Sequence, residues 1–193
     1  EALRQPLENG EIQISRVNAH TTFPANFQLI AAMNPCPCGN YPDLNKCTCT
    51  TAQIRGYLGK LSQPLLDRID ICVEVPKVEY HALSKEAKEE GSEAIRERIV
   101  KAREIQRERY ASCEIKVNAH LGIRDMEVYC NLGSEEREIM QKAYEQLGLT
   151  ARTYHKVLGV ARTIADLEGA KEIQAKHLRE ALTYRTLDAK YWG

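Results

Sequence analysis

The chain of 193 residues has no apolar run approaching the roughly 18–20 residues that a membrane-spanning helix requires. Its opening Glu1-Ala2-Leu3-Arg4 is polar and has no apolar h-region, so no secretory signal is expected and the setting is read as cytoplasmic, with no membrane partner. There is no excess charge of either sign, with 27 Lys and Arg against 27 Asp and Glu. No global basic field therefore announces nucleic acid, and any such contact has to be local. Internal repeats and low-complexity segments are lacking too. So is an initiator Met: Glu1 to Gly10 reads as the last turns of a helix, with Leu3 and Leu7 on one face and Gly10 at the C-terminal cap. This predicts a chain cut from a longer protein.

What is present suits a folded, water-exposed chain. Hydrophobic residues make up 43% and charged residues 28%, enough for a core in one ordinary domain or two small ones. Seven cysteines are informative. Cys72, Cys113 and Cys130 stand alone and read as small buried hydrophobes. Cys36, Cys38, Cys47 and Cys49 lie close together. An odd total and no secretory signal argue against a disulfide framework. Two Cys-x-Cys pairs eight residues apart supply four thiolates, the number a closed tetrahedral Zn²⁺ site requires. The tight spacing is less usual than Cys-x-x-Cys, and an irregular reduced loop or disulfides formed after purification are the alternatives. A zinc there would stiffen the loop and leave no open position for water.

Residues 11–33 read as β structure. A hairpin is expected around Ser15-Arg16-Val17-Asn18-Ala19-His20, followed by Phe27–Met33, an apolar run of the kind buried on both faces in a parallel sheet. Asn34-Pro35 stops it, and residues 35–50 have loop chemistry. A short helix is expected from Thr51 to Leu66, reset by Pro64, and a short strand over Ile71–Val75, closed by Pro76. After that the pattern turns helical: a solvated helix over 84–112 with a stripe of Ile95, Ile99, Ala102 and Ile105, then 135–147, 151–168 and 175–187. Gly148 and Gly169 end two of these, and Ser134 and Thr150 serve as N-caps. A strand-rich front and a helical back predict two units meeting near residue 80.

Four segments, in order, resemble one family: LRQPLENGEIQISR, NFQLIAAMNPCPCG, LSQPLLDRIDICVEVP and LTARTYHKVLGVARTIADLEG. Together they are similar to the ComM/YifB family of AAA+ ATPases, relatives of the magnesium-chelatase motor subunit. The resemblance covers nearly the whole chain and is weakest over 111–133. It implies an α/β plus all-α fold: residues 1–79 as the C-terminal part of an AAA+ core, and 80–193 as a helical lid. It also implies a hexameric ring in the longer protein, with ATP and Mg²⁺ as its cofactors. No G-x-x-x-x-G-K-[ST] and no acidic strand end occur here, so the nest and lysine that hold the phosphates are absent. The chain alone is expected to be inactive.

The resemblance also assigns roles. Asn34 matches sensor 1, which reads the γ-phosphate; read without the family, it is an Asn turning the chain before Pro35. Arg68, in Pro64-Leu65-Leu66-Asp67-Arg68-Ile69-Asp70, matches the arginine finger acting in trans on the neighbouring subunit's ATP, with Asp67 orienting it; the plain alternative is a surface ion pair. Arg152 matches sensor 2, at a helix start where the dipole disfavours a cation and an anionic ligand would offset that. His155 and Lys156 read as solvated. Arg16, Asn18 and His20 sit on the hairpin that corresponds to a pore hairpin, where phosphates of DNA could be met; an exposed polar turn is the alternative. The expected function is a ring that moves or remodels DNA, as in branch migration or competence. One rival is chelatase-like remodelling of a protein partner without DNA; another is a stand-alone interaction or metal-binding module.

Overall fold

The computed structural model describes residues 2–17, 19–76 and 90–192, without the side chains of Asp188 and Ala189. The described residues pack as two compact units, one of Glu1–Ile69 with Asp188–Gly193 and one of Asp70–Leu187. The fold is mixed and mainly helical, with a small two-stranded sheet. The boundary expected near residue 80 lies outside the described residues.

The first unit opens with helix α1 (Arg4–Asn9), which ends where its sequence says it should. Gly10 takes the left-handed conformation at φ 67° and its N–H returns to Pro6 O. That φ strains any side chain at this position, and an added Cβ would come within 2.4 Å of Oδ1 of the exposed Asn26, whose side chain would have to move. Strands β1 (Glu11–Arg16) and β2 (Ala19–Pro24) then form the expected antiparallel hairpin, in a register pairing Ser15 with His20 and Arg16 with Ala19. Both strands lie largely open to solvent.

The two further strands do not form. Residues 25–34 and 71–76 belong to no sheet, and Ile30 and Val75 are 84% and 81% exposed. An apolar run of this kind becomes a central strand only when neighbouring strands satisfy its N–H and C=O groups. Among the described residues the sole sheet is the hairpin, which supplies no such neighbour. Helix α2 (Thr51–Leu58) starts on a reciprocal capping box between Thr50 and Gln53. The helix expected to run on to Leu66 instead stops at Leu58. Ser62 and Pro64 start a separate short helix α3 (Gln63–Leu66), whose Leu65 and Leu66 are buried, as is Leu58 of α2.

The second unit is a helical bundle. It comprises α4 (Ser92–Arg109), a single 3-10 turn (Asn118–His120), α5 (Ile123–Tyr129), α6 (Ser134–Leu147), α7 (Ala151–Leu167) and α8 (Ala175–Thr183). A last helix, α9 (Thr186–Trp192), carries the chain back into the first unit. Residues 84–89 of the expected long helix lie outside the described residues. Helix α7 is the centre of the core because Val157, Leu158, Ala161, Ile164 and Ala165 repeat every three or four residues on one face. The first four meet Tyr110, Leu121, Cys130, Met140, Ile173, Leu178 and Ala181 from the surrounding elements. Each large apolar side chain removed from water here stabilises the bundle by roughly 1.5–3 kcal/mol.

Caps follow the sequence with one shift. Thr150 and Thr153 form a reciprocal cap for α7, and Gly148 ends α6 at φ 60°. Gly133 takes the N-cap position expected of Ser134, which becomes the first helical residue. Of the lone cysteines only Cys130 is fully buried; Cys72 and Cys113 are half-buried.

Candidate functional site

In the first unit, the loop between Asn34 and α2 brings its four cysteines together. The Sγ atoms of Cys36, Cys38, Cys47 and Cys49 all lie within 4.8 Å of one another. Three separations are 3.4 Å (Cys36–Cys38), 3.8 Å (Cys36–Cys47) and 3.6 Å (Cys38–Cys47). These exceed the roughly 2.05 Å of a disulfide bond, and all four thiols are free. The loop achieves this by turning twice. Gly39, at φ 76°, donates its N–H to Cys36 O, and Lys46 and Cys47 donate theirs to Asp43 O. The Tyr41 N–H points at Cys36 Sγ, 3.4 Å away. The side chain of Asn34 lies against the bare face of Gly39, where an added Cβ would meet its Cγ at 3.7 Å.

The four thiols do not ionise alike. Burial opposes ionisation of Cys36, but the amide N–H groups of Tyr41 and Asn40 outweigh it and lower its pKa. Those of Asn40 and Thr48 hold Cys38 down at about 5. Cys47 receives the Cys49 amide and Cys49 receives that of Cys38, yet burial and the neighbouring thiols raise Cys47 and push Cys49 up to about 12. Two sulfurs are thus held below the ordinary thiol value and the other two above it, where further negative charge so close by is opposed.

Arg68 follows α3 and is not a surface residue: its side chain is 10% exposed. It donates to Pro64 O and pairs with Glu8 of α1, and its buried Nε–H meets no acceptor among the described residues. Asp67 does not orient it. That carboxylate accepts from Gln63 Nε2 at 3.1 Å instead, because Gln63 stands one helical turn before it. No spacing signal in the sequence connects Glu8 to a residue sixty positions away. Asn34 is exposed at the entrance to the cysteine loop. At the hairpin, Arg16 and His20 are exposed on either side of the fully exposed Val17, and His20 Nδ1 lies 3.0 Å from Ser15 Oγ. Asn18 lies outside the described residues.

In the second unit, Arg152 is exposed in the first turn of α7, just past the Thr150 cap. Lys156, expected to be solvated, is ion-paired with Asp70, and His155 stacks edge-on against Tyr154. The strongest polar feature of this unit went unread in the sequence. Asp166, wholly buried, accepts from Arg109 Nη1 at 2.9 Å, Arg162 Nε at 3.1 Å and Asn118 Nδ2 at 2.9 Å. Arg162 also donates to the carbonyls of Lys171 and Ala170, which ties the turn after α7 to the helix itself. Nearby, His177 accepts the Gln174 N–H on Nδ1, so its Nε2–H donates to Glu168, 3.0 Å away.

Residues 1–83 match the family described as magnesium chelatase, subunit ChlI, and residues 89–185 match magnesium chelatase, subunit ChlI C-terminal. The chain is thus of the magnesium-chelatase type, a class related to AAA+ proteins. It is 47% identical over 188 residues to competence protein ComM of Haemophilus influenzae, across 97% of this chain and 36% of ComM. Similarity extends to protein YifB of Salmonella typhimurium (43% over 189 residues) and of Escherichia coli (41% over 189 residues), with the same coverage. The chain belongs to the magnesium chelatase ChlI-related family, with ComM and YifB among its relatives, and spans about a third of their length. Among the described residues no helix is long and apolar enough to cross a membrane.

Proposed function

We propose that this chain is the nucleotide-sensing and trans-acting part of an AAA+ ATPase whose hexameric ring moves or remodels DNA. The observation that carries the reading is Arg68: a guanidinium held nine-tenths buried at the end of α3, with one buried N–H that meets no acceptor among the described residues. A planar, permanently charged donor fork kept in place by Glu8 suits a finger that meets charge developing on a transferred phosphoryl group. Asn34 acts as sensor 1 and Arg152 as sensor 2. Residues 1–79 form the end of the ATPase core and 80–193 its lid. The exposed apolar segments 25–34 and 71–76 then pair with strands of the longer protein, which explains why Ile30 and Val75 face solvent here.

The residues of this chain do not fit a Mg²⁺ site of the ring. The sequence has no Walker A Ser or Thr and no acidic strand end, and the cluster it does assemble is of thiols, soft ligands ill-suited to that ion. Bound ATP and Mg²⁺ are accordingly assigned to groups beyond these 193 residues, with Arg68 and Arg152 supplying charge to the phosphates. DNA as the moved substrate is favoured by the likeness to a competence protein and by the exposed hairpin carrying Arg16 and His20. The chelatase family itself supports the rival reading, a motor acting on a protein partner.

Arg68→Ala in the full-length protein tests the central assignment. A finger acts mainly on the transition state, so kcat falls by on the order of 10³-fold while ATP affinity changes little. Turnover within a few-fold of wild type sinks the proposal.

A further inference from the structure

We propose that Cys36, Cys38, Cys47 and Cys49 bind one structural Zn²⁺ as a closed tetrathiolate site that clamps the loop between Asn34 and helix α2. The spacing alone left zinc, a reduced loop and disulfides open; the geometry separates them. Four ligands at the usual zinc–sulfur distance of about 2.3 Å put neighbouring sulfurs about 3.8 Å apart at the corners of a tetrahedron. The separations of 3.4, 3.6 and 3.8 Å, with every pair inside 4.8 Å, are those of sulfurs converging on one ion. Disulfide pairing needs contact at little more than half that distance, with two pairs drawn apart from each other. Clusters of several irons spread their cysteine ligands further than this. The doubt attached to Cys-x-Cys spacing also falls away, since Cys36 and Cys38 already bring their sulfurs to 3.4 Å without a linking residue more.

The surroundings are those of a metal ligand set. Cys36 is wholly buried, yet its sulfur meets other thiols and the Tyr41 N–H in place of an apolar pocket. The Asn40 side-chain amide approaches Cys38 Sγ at 3.9 Å and the Tyr41 amide approaches Cys36 Sγ at 3.4 Å. Such N–H donors orient thiolates and offset their charge around a bound cation. Zinc suits four soft thiolates and needs no redox partner, and all four positions are filled from one loop, so the ion is structural and carries no reactive water. Its effect is local. The Cys36–Gly39 turn lies beside the Asn34 side chain at one end, and Cys49 immediately precedes the Thr50 cap of α2 at the other. A zinc clamp operates in this chain whatever the activity of the longer protein.

The full chain, purified without chelator, is expected to carry close to one equivalent of zinc. After removal of the metal, titration with Co²⁺ should give the intense d–d and charge-transfer absorption of a tetrahedral cobalt thiolate, saturating at one equivalent and bleached by Zn²⁺. Cys47→Ser with Cys49→Ser should lose both signals. The cobalt titration of the wild-type chain stands by itself and does not depend on the variant's loop staying folded. Far-UV ellipticity of the variant, dominated by the second unit, reports whether the rest stays folded. Iron at the same stoichiometry overturns the proposal, as does metal-free protein that gives no cobalt spectrum, or native disulfides among the four cysteines by mass spectrometry.

Discussion

Replacing Asp166 by Asn removes one negative charge from the interior of the helical unit and changes almost nothing in shape. The carboxylate has no exposed surface, and Arg162, its partner one helical turn earlier, is 2% exposed. Arg109 donates from α4 and Asn118 from the 3-10 turn, so one side chain joins two segments to α7, with Arg162 bonding it from within the helix. Removing one partner of a buried pair leaves the other charge without compensation, at a cost of about 3–5 kcal/mol. Arg162 retains the carbonyls of Lys171 and Ala170 but loses its counter-charge. Against a total stability on the order of 5–15 kcal/mol for a domain, the variant should be marginal, with Tm lowered by roughly 10–20 °C. Urea unfolding followed by far-UV ellipticity measures it. Arg162→Met combined with Asp166→Leu removes both charges and should be less destabilised than Asp166→Asn alone, because Arg109, closer to the surface, can turn to water. A loss below about 1 kcal/mol for Asp166→Asn would refute the view that this network holds the bundle together.

Two further outcomes follow from other parts of the chain. Arg16→Ala with His20→Ala in the full-length protein should weaken DNA binding and flatten its salt dependence, because lost phosphate contacts release fewer counterions. Unchanged affinity and slope would favour a motor acting on protein. Glu168 is held below the usual carboxylate value of 4.5 by Lys176 first and His177 next. A lowered carboxylate stabilises the fold above its unfolded pKa, and that contribution disappears as pH falls below 4.5 and through the folded value. Glu168→Gln should therefore reduce the loss of stability on acidification in that window, read as Tm against pH; an unchanged profile contradicts the pairing.

The helix ends were legible because their signals are local. Gly10, Gly148 and the Thr150–Thr153 pair set helix ends through backbone conformation and one side-chain bond each, and none of these depends on distant residues. Ser134 was misread by one position because Gly133 adopts the extended N-cap conformation just as well. The failed strands are of another kind. Phe27–Met33 and Ile71–Val75 have strand composition, but a strand is a property of its neighbours, and those are not among the described residues. At the site, the four cysteines announced themselves by proximity in sequence. Glu8 with Arg68, and Arg109 with Asp166, pair over 60 and 57 positions, and an ordinary charged residue gives no hint of its partner at that range.

The return of α9 to the first unit gives the protein a built-in reporter. Trp192 is the single tryptophan, and its indole N–H donates to Leu58 O at 3.0 Å, while Tyr191 meets Tyr41 of the cysteine loop edge-on. Tryptophan emission thus follows the unit that contains the hairpin and the thiols, although the residue stands at the far end of the sequence. Most of the helix lies in the other unit, so ellipticity follows that one. Melting curves recorded by the two signals on the same sample would show whether the units unfold as one or in succession. Losing the last few residues should disturb the emission-bearing unit first, even though the preceding hundred residues belong to its neighbour.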